Sequence, residues 1–173
     1  MQYVMAVRPS HNRVYTGQAV KLAIAELDSL NISLGGRLQH ISPAVLGGAD
    51  AVTWEQKFPM DNEEMRWLQR LSSAYLCFRK EGKALYPLSL QFISPLQEDL
   101  VSIPKYVGRT NEQFTRLMVN CGLLASDFWQ LTPDEVLLLD PVCGRGTTLL
   151  EGLVQGHSVA GIETDKKDVE WLR

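Results

Sequence analysis

"LLLDPVCGRGTTLLEG", residues 137–152, is the stretch whose reading decides the fold of the second half of the chain. A run of leucines stops at Asp140, a Pro-Val-Cys-Gly-Arg-Gly turn follows, and Thr147-Thr148-Leu149-Leu150-Glu151 opens like a helix. Residues 135–139 are apolar past Glu135 and do not alternate, which predicts a parallel strand covered on both faces. Residues 146–155 predict a helix, 158–162 a second strand, and Asp165 the cap of a third helix with Asp168 at its N3 position. Strand, glycine turn, helix, strand is a βαβ unit. Glycines at the carboxyl end of such a strand let the backbone turn sharply with no Cβ in the way. A ligand can then approach main-chain N–H groups at the head of the next helix. Glu163 ends the second strand, 23 residues past Asp140, where a carboxylate can accept hydrogen bonds from ribose hydroxyls.

Three ligand classes compete for that turn. A phosphate-cradling loop needs GxxxxGK[ST], whereas here Gly144 has Gly146 two residues on and no lysine follows. A dinucleotide fold wants GxGxxG, and the position three past Gly146 is Leu149, too bulky for close pyrophosphate approach. A nucleoside without phosphates remains, which needs one bare turn and a ribose carboxylate.

Working outward, Thr110 and Gln113 form a capping box ahead of a helix with Phe114, Leu117, Met118, Cys121, Leu124 and Ala125 on one face. Residues 93–106 lack periodicity and read as part of a linker. Earlier still, residues 2–8 fit a strand, and Ala19, Val20, Ala23, Ile24, Leu27 and Leu30 share a helical face. Gly35-Gly36 and Gly47-Gly48 break the chain on either side of a weakly alternating stretch at 37–41, before a strand over 51–58. Asp61 with Glu64 starts a helix whose apolar face is Trp67, Leu68, Leu71, Ala74, Tyr75 and Phe78. Residues 84–92 add a strand that Pro87 pushes to a sheet edge. The order strand–helix–strand–strand–helix–strand predicts a ferredoxin-like α+β domain over 1–92. A linker over 93–109 follows, then the first part of a Rossmann-like sheet over 110–173.

The formal net charge is −3, distributed as +1 over 1–60, zero over 61–131 and −4 over 132–173. That argues against strong nonspecific nucleic-acid binding by the chain alone. Arg66, Arg70, Arg79, Lys80 and Lys83 flank acids and apolar residues and read as a solvated helix face. Cys77, Cys121 and Cys143, with His11, His40 and His157, lie too far apart in sequence for a structural zinc site. Three cysteines and no leader-like start predict a reduced, cytoplasmic protein, and no apolar run approaches membrane length. Cys143 reads as a small turn residue rather than a nucleophile. Glu151 is expected to face solvent. The four tryptophans, at 54, 67, 129 and 171, suit core or interface more than a base-stacking platform.

"DPVCGRGTTLLEG" resembles the DPxCGxGT cofactor motif of S-adenosylmethionine-dependent methyltransferases that modify nucleobase amino groups. "VAGIETD" resembles the strand that follows it there, and "TNEQFTRLMVNCGLLAS" is similar to the helix that precedes it in the tRNA guanine-N2 methyltransferase family and its bacterial RNA methylase relatives. The similarity covers roughly residues 105–173. It implies that Asp140, Gly144 and Gly146 lie against the methionine and ribose end of S-adenosylmethionine, with Pro141 and Cys143 shaping the turn. It further implies that Glu163 holds the ribose, that Asp165 sits near the adenine, and that Thr110, Asn111, Phe114 and Thr115 close over the methionine. Read from the residues alone, Thr110 with Gln113 is a helix cap more than a cofactor contact, and Asp165 is as much a cap as a ligand. Arg145 departs from the family pattern, where a small residue is commoner.

Enzymes of this kind place the target nitrogen with an [Asn/Asp]-Pro-Pro-[Tyr/Phe] loop after the fourth strand, and no such tetrapeptide occurs here. Only 33 residues follow Asp140, where a doubly wound sheet needs several more strand–helix repeats. The expectation is therefore a piece of a longer RNA methyltransferase acting on tRNA or rRNA. It would be inactive alone and hold no catalytic residue, with Trp171 short of packing and the first domain positioning RNA. Two alternatives stay open. One is a piece of a DNA amino-methyltransferase. The other is a noncatalytic interaction module that pairs with a partner, or with a second copy, through an exposed sheet edge.

Overall fold

The computed structural model describes residues 1–10, 13–91, 94–101 and 110–171, so His11, the end of the 84–92 stretch and much of the 93–109 linker lie outside it. The protein is a mixed α/β chain with a five-stranded antiparallel sheet. It divides into two compact units, Met1–Phe92 with Asn120–Trp129, and Ile93–Val119 with Gln130–Arg173. The expected boundary gave all of 110–173 to one domain. The observed division instead runs through a helix, because its last turns pack on side chains of the first unit. Among the described residues, no helix is long and apolar enough to cross a membrane.

In the first unit, β1 (Gln2–Val7) is the central strand, and Tyr3 through Val7 are all buried. The sheet order is β2-β3-β1-β4-β5, where β2 is Gln39–Leu46, β3 Ala49–Glu55, β4 Ala74–Glu81 and β5 Ala84–Leu88. After a short helix α1 (Arg13–Thr16), α2 (Ala19–Ser33) packs on β1, β2 and β3 through Ala19, Ala23, Leu27 and Leu30. Gly47 and Gly48 join β2 to β3 with φ of 59° and 89°, a two-residue turn that needs left-handed backbone at both positions. Pro87 lies in β5, at the sheet edge, where its missing N–H breaks no inner ladder.

Helix α3 (Asn62–Arg70) starts as its sequence specifies. Asp61 accepts from the Glu64 N–H while the Glu64 carboxylate accepts from the Asp61 N–H. It stops earlier than the apolar spacing suggested. Ala74, Tyr75 and Phe78 are strand residues, because the chain turns at Ser72 and Ser73 and joins β1 as β4. The turn is fixed by the buried Glu26 carboxylate, which accepts from the Ser72 N–H at 3.0 Å and from the Ser72 hydroxyl at 2.7 Å. The expected solvated basic face therefore does not exist as one helix face. Arg79 and Lys80 belong to β4, and Arg70 is buried with its guanidinium 5.6 Å from the Trp67 ring. Trp54 and Trp67 are core, and Tyr3 stacks on Trp54.

Helix α4 (Glu112–Leu124) buries Thr115, Leu117, Val119, Asn120, Leu123 and Leu124, while Phe114, Met118 and Ala125 are exposed. Its buried face is thus rotated from the predicted one. Asn120 causes the rotation, since its Nδ2 donates to Glu26 Oε1 at 2.7 Å and to the Arg70 carbonyl at 2.9 Å.

In the second unit, β6 (Leu137–Asp140) and β7 (Ser158–Gly161) pair in parallel, joined by α5 (Thr147–Val154). A 3-10 turn at Pro133–Glu135 occupies the start of the expected strand. Helix α6 (Lys166–Trp171) follows β7. A Cβ at Gly152 would stand 2.7 Å from Val159 and 3.0 Å from Leu138, so this glycine lets α5 lie close on the two strands. The opposite strand face is open among the described residues. Leu137 and Leu139 are 65% and 60% exposed, which corrects the expectation of a strand covered on both sides.

Candidate functional site

The glycine turn between β6 and α5 is held by main-chain bonds to the end of β7. Asp140 accepts at its carbonyl from the Ile162 N–H, and the Cys143 N–H donates to the Ile162 carbonyl. The Asp140 side chain accepts from the Val142 N–H at 3.0 Å, folding the chain back at Pro141, which is itself exposed. Gly146 donates to the Cys143 carbonyl at 2.7 Å and is the N-cap of α5. Gly144 and Gly146 have φ of 51° and 79°, so the turn requires glycine for its backbone. A Cβ on Gly144 would meet nothing within 4 Å, so open space lies beyond that residue.

Glu163 is the hub of the site. One carboxylate oxygen accepts from the Gly144 N–H at 2.8 Å, and the other accepts from Thr164 at 2.6 Å and Asp165 at 2.8 Å. These N–H groups, with Asp165 and Thr164 foremost, hold its carboxyl below the usual carboxylate range. The Thr164 side chain bonds to the same carboxylate, so its roughly four acceptor positions are engaged and an incoming hydroxyl would share or displace one of these donors. Asp165 is used as a helix cap, with its side chain accepting from the Lys167 N–H.

Cys143 is buried, and a Cβ on Gly161 would stand 2.7 Å from its sulfur. Burial first, then the charges of Asp140 and Glu163, push its thiol up, away from the thiolate form that a nucleophile needs. Arg145 donates through Nε to Asp168 Oδ1 at 2.7 Å, which gives the cation of the turn an acidic partner.

The preceding helix is capped one residue later than its sequence suggested. Asn111 Oδ1 accepts from the Phe114 N–H, and the buried Thr115 hydroxyl donates to the Asn111 carbonyl. Thr110 and Phe114 are exposed, and the Gln113 Nε2 is buried without a hydrogen-bond partner. The structure thus gathers Asp140, Pro141, Cys143, Gly144, Gly146, Glu163 and Asp165 into one loop cluster. It assigns Asn111 and Thr115 to the head of α4.

The side chain that joins α4 to α5 was not foreseen. Glu151 is 1% exposed rather than solvated, and its Oε1 accepts from Arg116 Nε at 2.6 Å and from Gln155 Nε2 at 3.0 Å. Its only sequence signal is a charge on the inner face of a short apolar helix. Among the described residues no cluster of His, Cys, Asp and Glu could hold a metal ion.

No protein-family model, curated protein or solved structure matches the chain.

Proposed function

We propose that the second unit binds S-adenosylmethionine, as the cofactor-holding part of a Rossmann-like methyltransferase that acts on a nucleobase amino group in RNA. The observation that carries this reading is the Glu163 carboxylate bonded to the Gly144 N–H across the end of a parallel strand pair. That bond also argues against phosphate ligands, because an internal carboxylate already occupies an N–H that a phosphate would need, and would repel it. A nucleoside without phosphates escapes the repulsion. Its ribose hydroxyl can donate to Glu163 by displacing the Thr164 side chain, the one donor there that is not main-chain.

When bound, the cofactor supplies an electrophilic methyl group. The chain's own residues supply the cradle. Gly144 and Gly146 keep the turn bare, Asp140 holds its entry through Val142, and Asp165 fixes the loop after β7 by capping α6. No [Asn/Asp]-Pro-Pro-[Tyr/Phe] tetrapeptide is present to place a base, so the described site binds and orients a cofactor only. A DNA substrate would share the same motif.

The strand order β2-β3-β1-β4, with helices after β1 and β3, supports a ferredoxin-like reading of the first unit, with β5 as an added edge. Its proposed role is to position RNA.

Isothermal calorimetry of the chain against S-adenosylmethionine tests the central reading. Saturable binding is expected. Glu163→Ala should weaken it by roughly ten- to a hundredfold, the worth of a charged hydrogen bond. Absence of binding by the folded wild type, or unchanged affinity in the folded variant, would sink it.

A second reading, self-association through the second unit, is favoured by the exposed Leu137 and Leu139 on β6 and Ile162 just past β7.

A further inference from the structure

Arg145 stands between the two turn glycines, and its guanidinium reaches Asp168 in the first turn of α6. Their side chains are 35% and 28% exposed, so the pair is part-solvated rather than buried in the core. Asp168 does not repeat what Glu64 does in α3, where the N3 acid bonds back to the cap residue. Its carboxylate oxygen instead reaches out to the turn.

Among the described residues, the other side-chain charges bonded to the turn are the carboxylates of Asp140 and Glu163. Lys166 and Lys167, at the head of α6, are exposed and screened by solvent. With Arg145 compensated by Asp168, the turn therefore presents a field of negative sign. A ligand carrying a positive charge gains from that field, and a neutral ligand of the same shape does not.

We propose that the Arg145–Asp168 pair sets the charge selectivity of the glycine turn, with Asp168 offsetting the one cation of the 140–146 loop so that a sulfonium is accepted over its neutral thioether counterpart. The proposal rests on the cofactor reading above and assigns Arg145 and Asp168 as specificity-determining residues within it. An uncompensated arginine at the turn would disfavour a cation. A turn without the arginine would favour a cation further.

The test compares affinities for S-adenosylmethionine and S-adenosylhomocysteine, which differ by the methyl group and its positive charge. Both are measured calorimetrically on the wild type, Asp168→Asn, Arg145→Gln and the double variant. Asp168→Asn should lower the ratio of sulfonium to thioether affinity by about three- to tenfold, the scale of one partly solvated charge at close range. Arg145→Gln should raise the ratio, and the double variant should return it towards the wild-type value. High salt should compress all of these differences.

Thioether binding doubles as the folding control. A ratio that stays constant across the single variants while both ligands bind overturns the charge-selectivity proposal and leaves the cofactor reading intact. Equal weakening of both ligands by Asp168→Asn also overturns it, and makes the pair a strut between turn and helix. Failure of the wild type to bind either ligand overturns both proposals together.

Discussion

Gly161 shows how one missing Cβ shapes the site. It ends β7 opposite Asp140, and the Cys143 side chain and Leu149 lie over it. An added methyl would meet the Cys143 sulfur at 2.7 Å, Leu149 Cδ1 at 2.8 Å and Cys143 Cβ at 3.0 Å. These neighbours belong to the turn and to α5, so relieving the clash means pushing the turn off the strand end. Gly161→Ala should therefore cost about 1–3 kcal/mol in denaturant unfolding, the usual range for forcing a methyl into a tight contact. Adding Cys143→Ala removes the nearest atom and should recover part of the loss. A single variant as stable as the wild type would mean that the turn is looser than its bonds to Ile162 and Glu163 imply. Glycine here is required by packing, in contrast to Gly144 and Gly146, where the backbone conformation requires it.

At the scale of elements, the parts written into local sequence are those whose cause is local. The Asp61–Glu64 box starts α3, the paired glycines at 47–48 close the β2–β3 hairpin, and the β6-turn-α5-β7 order follows from spacing alone. What escaped has its cause far along the chain. Helix α3 ends early because Glu26, 46 residues before Ser72, takes the N–H and hydroxyl of that residue. The buried face of α4 is turned because Asn120 bonds to the same carboxylate across 94 residues. Glu151 looked solvated because nothing nearby announces Arg116 as its partner. Polar groups buried by distant partners leave no periodic mark, whereas apolar faces do. Asn120 carries the prediction at this scale. Asn120→Ala removes two donors from fully buried acceptors and should destabilise the fold by about 1–3 kcal/mol in chemical denaturation. Asn120→Asp should do worse, placing a second carboxylate 2.7 Å from Glu26. An unchanged midpoint for Asn120→Ala would remove Glu26 as the organiser of the α4 face.

For the whole molecule, charge and apolar exposure point in different directions. The chain carries −3 overall and −4 over 132–173, and in the first unit Arg37 is paired with Asp61 beside a cleft of about 480 Å³ that Glu64 also lines. Phosphate-driven association should therefore be weak. Apolar exposure is spread over both units, and in the second it includes Leu137 and Leu139 of β6 and Ile162 just past β7. In a parallel pair, residues in register share a face, so Leu137 and Leu139 lie with Ser158 and Ala160, and alternation brings Ile162 to the same side. The opposite face, with Leu138 and Val159, lies under α5 at Gly152. Among the described residues, the open face is thus a leucine–isoleucine surface on a two-stranded sheet with strand edges on both sides, the combination that natural proteins usually cover. Sedimentation velocity across a concentration series should show reversible self-association, and Leu139→Lys should shift the chain to monomer without unfolding it. Because the glycine turn lies at the carboxyl ends of the strands and not on this face, saturating S-adenosylmethionine should leave that association unchanged. Cofactor-dependent dissociation would mean that turn and face are coupled. A wild type that stays monomeric throughout would remove the apolar face as a self-association surface while leaving the cofactor reading to stand or fall on Glu163.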